Sequence, residues 1–203
     1  MPTAEIAYGT LILWGVIGYL FGSIPSGVIV ARAMNLGNLR DIGSGNIGAT
    51  NVLRTGNKKA AALTLVFDAA KGAIVVLLAR ALAAENAVQI GALMAFLGHC
   101  FPVWLRFSGG KGVATYLGIL WALAWPMGAA ACLIWLVIAA ITRYSSLAAL
   151  LAAGWVPIVM VFTGYGQFFM LAAILGLLIY ARHWGNIQRL RAGIETKIGA
   201  KTR

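Results

Sequence analysis

Residues 60–83, AAALTLVFDAAKGAIVVLLARALA, decide what kind of molecule this is. A run this long and apolar crosses a bilayer as a helix, because ~20 residues rising 1.5 Å each cover a ~30 Å hydrocarbon core. It is more than a passive anchor: Asp68 and Lys71 lie three residues apart, on one helical face. A charge near the bilayer centre costs at least ~2.5–3.5 kcal/mol. The two therefore either form an ion pair that ties helices together, with Arg54 as a further partner, or face a polar cavity towards one membrane surface.

The rest of the chain agrees. It has 203 residues, 61% hydrophobic and 10% charged, with a mean hydropathy of +0.87, whereas soluble domains carry about 25% charged residues. The expectation is an all-α integral membrane protein, a seven-span helical bundle forming a single membrane-embedded domain over residues 1–203. Glu5 precedes the first apolar run with no basic segment, which argues against a cleaved leader. Cys100 and Cys132 have no partner spacing, so neither a disulfide nor a metal site is expected. With 5 Asp and Glu in the chain, a carboxylate metal cluster is not expected, nor is any other cofactor.

The spans fall near residues 8–30, 60–83, 87–105, 113–125, 127–142, 147–162 and 167–181, the fourth being short for a bilayer. Pro25, inside Gly22-Ser23-Ile24-Pro25-Ser26-Gly27, should kink the first. Of the 16 Lys and Arg residues, all but Lys71 and Arg80 fall in the 31–59 connector, the 106–112 turn, Arg143 and the tail from Arg182. These segments share one side, so the positive-inside rule places the N-terminus outside and the C-terminus in the cytoplasm. The charge of +11 then reflects cytoplasmic loops, and no nucleic acid partner is implied. In the tail, Ile187, Leu190 and Ile194 suggest a short amphipathic helix.

Three elements on that side carry polar chemistry. The connector contains Gly43-Ser44-Gly45-Asn46-Ile47-Gly48-Ala49-Thr50-Asn51-Val52-Leu53-Arg54. Glycine-rich turns can converge backbone N–H groups on an anion, Ser44, Asn46, Thr50 and Asn51 add side-chain bonds, and Arg54 offers planar donors suited to phosphate; the alternative is a flexible polar linker. The second element is Arg106-Phe107-Ser108-Gly109-Gly110-Lys111-Gly112, and the third is the tail with His183, Asn186, Arg189, Glu195 and Lys197. Two glycine-rich turns, each with a cation, suit a ligand carrying phosphate. His99 reads as a packing residue or, less readily, as a base.

Other chemistries fail on spacing. Leu105 stands where a Walker A loop needs glycine, and no Ser or Thr follows Lys111. The His-x4-Asp dyad of some acyltransferases is missing, since positions 104 and 188 are Trp and Gln. There is neither a Gly-x-Ser-x-Gly elbow nor a His-Glu-x-x-His metal motif.

Taken together, Gly22–Gly27, Gly43–Arg54, His99-Cys100-Phe101-Pro102-Val103, Phe107–Thr115 and His183-x-x-Asn186-Ile187-x-Arg189-Leu190-x-x-Gly193-x-Glu195-x-Lys197 resemble the bacterial acyl-phosphate:glycerol-3-phosphate acyltransferase (PlsY) family, in order and over nearly the whole chain. Ser108 and Trp184 depart from basic residues common at those places. The resemblance implies a seven-span inner-membrane enzyme that makes lysophosphatidic acid from acyl phosphate and glycerol 3-phosphate, the first step of phospholipid synthesis. It implies catalytic roles for Ser44, Arg54, Lys111, His183 and Asn186. Substrate binding would fall to Gly43, Gly45, Asn46, Gly48, Thr50, Asn51, Asp68, Lys71, Gly109, Gly110, Gly112, Glu195 and Lys197, with membrane lipid around them and no obligatory protein partner. The rival readings are a carrier for a small organic phosphate and a scaffold binding anionic lipid.

Overall fold

The computed structural model describes residues 4–200, with side chains from residue 8 onward; the ends of the expected domain and tail, 1–3 and 201–203, lie outside the described residues. Every regular element in that range is helical. The first apolar segment is α1 (Ala4–Gly22) and α2 (Ser26–Ala33), broken at Pro25 as proline requires. A connector holding the short α3 (Ala49–Val52) leads to α4 (Lys58–Leu82). Then come α5 (Glu85–Cys100), α6 (Val113–Leu123), α7 (Trp125–Thr142), α8 (Ser145–Phe162), α9 (Phe169–Arg182) and α10 (Trp184–Arg191).

Leucines and isoleucines cover the outside: Ile12, Leu77, Ile141, Phe162 and Leu177 are exposed, while Phe96, Tyr116, Ile119, Met160, Leu175 and Ile179 are buried. Helices apolar on every face belong in lipid. Without a hydrophobic force between them there, close backbone approach must hold the helices together. α1 runs along α5 and α4 along α6. A Cβ on Gly22 would lie 2.0 Å from the Ala95 carbonyl oxygen, and one on Gly118 would lie 1.9 Å from that of Ala69. Both seams admit only glycine.

Among the described residues, five stretches are long and apolar enough to cross a membrane: 8–33, 58–82, 85–105, 125–142 and 145–162; α9 with α10, bent by 61°, makes a sixth when the pair is counted as one span. The expected count of seven depends on α6, which has 11 residues and covers only ~16 Å. Its position explains the length. α6 lies parallel to α4, with Thr115 Oγ1 donating to the Asp68 carbonyl at 2.9 Å and the α6 carboxyl end reaching Arg80. Asp68 is ten residues into α4, so α6 begins ~15 Å below the start of α4. The Gly109–Gly112 turn occupies the missing depth.

The far end of α6 is closed by Arg80, whose guanidinium donates to the carbonyls of Ala122 (2.6 Å) and Leu123 (2.8 Å) and lies 5.7 Å from the Phe168 ring centre. Helix ends leave their last carbonyls unpaired, and in hydrocarbon such groups need a partner. Arg80→Ala is expected to lower the melting temperature of detergent-solubilised protein by the equivalent of about 1–3 kcal/mol, with Arg80→Lys recovering only part because an ammonium cannot fork across two carbonyls. A thermal melt of the three proteins checks this; equal melting temperatures would remove the cap.

Candidate active site

The connector is no flexible linker. Leu39, Ile47 and Val52 are buried with Val30, Ala31, Ala60 and Ala61 in a small core of their own. Asn51, 2% exposed, is its hub. Its amide donates to the carbonyls of Leu39 (3.0 Å) and Asn46 (2.7 Å), while its oxygen accepts from Ser44 N (3.1 Å), Ser44 Oγ (3.3 Å) and Arg54 (3.2 Å). Gly43, at φ +54°, passes so close that a Cβ would meet the Arg54 side chain at 2.6 Å. Asn51 therefore fixes Ser44 and Arg54 together. Arg40 ties this unit to the second turn by donating to the Ser108 carbonyl, and Thr50 ties it to α8 through Ser145 Oγ at 3.1 Å.

The second turn is held from two sides. Arg106 and Phe107 precede it in the left-handed region (φ +49° and +59°), an unfavourable conformation for non-glycine residues. Gly109 N donates to the Cys100 carbonyl and Gly110 N to that of His99, each at 3.1 Å. Arg182 donates to the carbonyls of Gly110 (3.1 Å) and Gly109 (3.2 Å) while lying over the Phe101 ring at 5.0 Å. Lys111 then points at the tail and donates to Asn186 Oδ1.

Asn186 Nδ2 donates to Glu195 Oε1 at 2.6 Å, Ser146 Oγ donates to the same oxygen at 2.8 Å, and Arg189 Nε donates to Oε2 at 2.7 Å. Three donors outweigh partial burial and hold the Glu195 carboxyl below its usual range. Burial, opposed by Glu195 and reinforced by Arg189, Arg54 and Arg182, depresses the Lys111 ammonium to about 8. Arg54 is lowered chiefly by burial and feels both Glu195 and Arg189. His183, just beyond the end of α9, donates from Nδ1 to the Ile179 carbonyl at 2.8 Å, since a carbonyl can only accept. Burial first, then Lys111, lowers it to about 4, leaving a neutral ring whose Nε2 is a free acceptor. Arg54, Lys111, His183, Asn186 and Glu195 thus come from three elements to one place.

Several expectations change. The amides of Ser44, Gly45, Gly48, Gly109 and Gly110 are all hydrogen-bonded within the protein, because a packed turn must satisfy its own backbone. They do not form an open anion nest. Open amides belong instead to the first turn of α6, which follows Gly112 (φ +83°) without a side-chain cap. Asp68 and Lys71 are 3% and 4% exposed and face inward: their ions are 3.0 Å apart, Lys71 also donates to the Ile24 carbonyl at the Pro25 break, and His99 lies 3.4 Å from Asp68. The ion-pair reading holds for Asp68 and Lys71; His99, and not Arg54, is the neighbour that lies against the pair. Lys197 is exposed and lies over the Tyr144 ring at 5.6 Å, outside the cluster. Thr50 and Asn46 serve the connector. Ile194 is 70% exposed and lies beyond α10, which carries Ile187 and Leu190 as expected.

Sequence reasoning missed Ser146 and Arg182. The signal for Ser146 was a polar pair, Ser145-Ser146, opening an otherwise apolar helix at the basic end; Arg182 gave none beyond its position at a helix end.

Asn51→Asp keeps the shape but turns an acceptor towards the Leu39 and Asn46 carbonyls. At about 1–3 kcal/mol per unsatisfied group, trypsin should cut at Arg40 and Arg54 at least about tenfold faster than in the unaltered protein. Timed digestion in detergent reads this; unchanged cutting rates would show that Asn51 is not the hub.

A family model described as glycerol-3-phosphate acyltransferase matches residues 12–193. A relative of that name from Roseobacter denitrificans is 61% identical over 198 residues, covering 97% of this chain and 98% of its own. Another, from Ruegeria sp. strain TM1040, is 60% identical over 201 residues, covering 99% and 100%. Among solved structures, PlsY (YgiH), an integral membrane glycerol 3-phosphate acyltransferase, is similar in its glycerol 3-phosphate form with a TM-score of 0.88 and 36% identity over 93% of this chain and 96% of that one. Its lysophosphatidic acid form gives 0.84 and 35% over 93% and 95%. With motif order, helical architecture and near end-to-end identity in agreement, the chain belongs to the glycerol-3-phosphate acyltransferase family of integral membrane proteins.

Proposed function

We propose that the chain transfers a fatty acyl group from an acyl phosphate to the 1-hydroxyl of glycerol 3-phosphate, giving lysophosphatidic acid and inorganic phosphate. The carrying observation is the convergence of Arg54, Lys111, His183 and Asn186 beside the uncapped start of α6, with Glu195 the carboxylate that bonds there. Cations in excess of carboxylate suit two phosphate-bearing substrates, and a helix N-terminus adds oriented N–H groups. The similarity to PlsY in its glycerol 3-phosphate and lysophosphatidic acid forms supports the acceptor and the product.

Transfer is direct. The glycerol oxygen bonds to the acyl carbon, the bond from that carbon to the phosphate oxygen breaks, and the hydroxyl proton leaves with the phosphate. Neutral His183 accepts a hydrogen bond from the attacking hydroxyl through Nε2. Lys111, Arg54 and the α6 amides stabilise charge on the oxyanion and the departing phosphate. Holding both substrates side by side supplies up to ~7–11 kcal/mol, so no protein nucleophile is needed. Ser44, fixed by Asn51, binds substrate. The protein lies in the bacterial inner membrane with seven crossings, the N-terminus outside and the site facing the cytoplasm. The gathering of the basic connector, turn and tail at one end of the bundle, with Arg80 towards the other, supports that orientation.

Purified protein with palmitoyl phosphate and labelled glycerol 3-phosphate should form labelled lysophosphatidic acid, and palmitoyl-CoA should not replace the donor. Product from the CoA thioester alone, or flux of glycerol 3-phosphate into liposomes without product, would overturn the reading. Lys111→Ala should insert normally and lose at least about 100-fold in turnover. Because Lys111 is cationic below about 8 and neutral above it, kcat/KM for glycerol 3-phosphate should fall as pH rises through that value. A profile level to about pH 9.5 would take Lys111 out of phosphate binding. Mass spectrometry of acid-quenched enzyme should find Ser44 unacylated; an acyl-Ser44 adduct would replace direct transfer with a two-step route.

A further inference from the structure

The cluster of Asp68, Lys71 and His99 lies inside the bundle and touches no open surface of the site, yet it lies directly beneath the turn that carries Lys111. A Cβ on Gly110 would lie 2.1 Å from His99 Nε2 and 2.7 Å from Cε1, so the Gly110 main chain rests on the imidazole. The same residue accepts the Gly110 amide through its carbonyl, and Cys100 accepts that of Gly109. From below, Nδ1 of the ring faces Asp68 at 3.4 Å without a hydrogen bond; Asp68 is set by Lys71 at 3.0 Å, and Lys71 by the Ile24 carbonyl at 3.0 Å. Thr115, on the first turn of α6, is bonded to the Asp68 carbonyl at 2.9 Å. Both the turn before α6 and α6 itself thus stand on one buried cluster, and that cluster is braced against the Pro25 break.

We propose that His99 is a positioning residue: packed against the Asp68–Lys71 pair, its imidazole is the platform on which Gly110 sits, and it sets the depth at which Lys111 presents its ammonium. The idea rests on the acyltransferase reading for its activity data, but its geometry does not. His99 takes no proton from substrate and makes no contact with it. The turn cannot drop lower, because Gly110 is already in contact with the ring, and it cannot lift, because Arg182 holds its carbonyls against α9. A displacement of about 1 Å at a reacting group can cost about 100-fold in rate, so this contact has a large lever.

The test exchanges volume across the contact. Gly110→Ala, which puts a methyl into the ring, should lose at least about 100-fold in kcat/KM. His99→Ala should lose about tenfold or more, and Gly110→Ala with His99→Ala should recover at least about tenfold over Gly110→Ala alone, as contacting pairs are non-additive. His99→Asn, which keeps a polar group towards Asp68 while withdrawing the ring, takes the place of His99→Ala should that variant fail to fold. A second readout needs no turnover: the rate at which an amine reagent labels Lys111, followed by peptide mass spectrometry across pH. The groups acting on Lys111 are Glu195 and Arg189 from the tail, Arg54 from the connector and Arg182 from α9, and none is altered in these variants. The labelling midpoint, near 8 in the unaltered protein, should fall further in His99→Ala, as the turn sinks and Lys111 loses more hydration, and return towards 8 in the double variant. A double variant as inactive as Gly110→Ala, or a midpoint unmoved by His99→Ala, overturns the positioning role. Absence of product from the unaltered protein sinks the acyltransferase reading instead, and the labelling midpoints then decide the positioning role alone.

Discussion

Several cations gathered at the edge of a hydrocarbon layer repel one another and lose hydration, and the rest of this molecule depends on how that is answered. Glu195 is the answer: one carboxylate, taken by Asn186, Ser146 and Arg189, in the field of Lys111 and Arg54. It offsets the repulsion only in part. Under the proposed function the surplus positive charge is what would receive phosphate, while the three hydrogen bonds hold the Glu195 oxygens in place. The tail that carries it is fastened beyond the cluster, where Ile198 and Arg143 exchange backbone and guanidinium bonds at 2.7 and 2.9 Å.

Holding those charges still requires rigid backbone where lipid proteins usually have loops. Asn51 fixes the connector, while Arg182 from above and His99 from below fix the glycine turn. In both places the glycines allow one chain to lie against another, and their amides are spent on that packing. Under the proposed function, recognition of anions would then fall to Arg54, Lys111 and the start of α6.

Much of this was legible from residue order. The apolar runs, the break at Pro25, the charge asymmetry and the three polar segments each follow from local rules, because a helix in lipid must be apolar and a proline must interrupt it. The shared face of Asp68 and Lys71 was legible too, being one helical turn, while the choice between an ion pair and a polar cavity waited on the packing. What could not be read were partners brought together by packing: Ser146 with Glu195, 49 residues apart, Arg182 with the glycine turn, 72 and 73 residues away, and Arg80 with the end of α6. The glycine-rich turns misled in one respect. Free amides were expected from composition, but a buried turn satisfies its own donors, and nothing in the sequence says where those bonds go.

The late start of α6 has a further consequence. A helix that begins ~15 Å along its neighbour sets the Gly109–Gly112 turn, and Lys111 with it, below the level at which α4 starts. Under the proposed acyltransferase reading, a donor with a greasy tail and a phosphate head would reach that depth by sliding sideways within its leaflet, while a fully water-soluble acceptor would come from the aqueous side. Two supply routes of different dimensionality would then meet at Lys111, the occupancy of one following surface density in the leaflet and that of the other following bulk concentration.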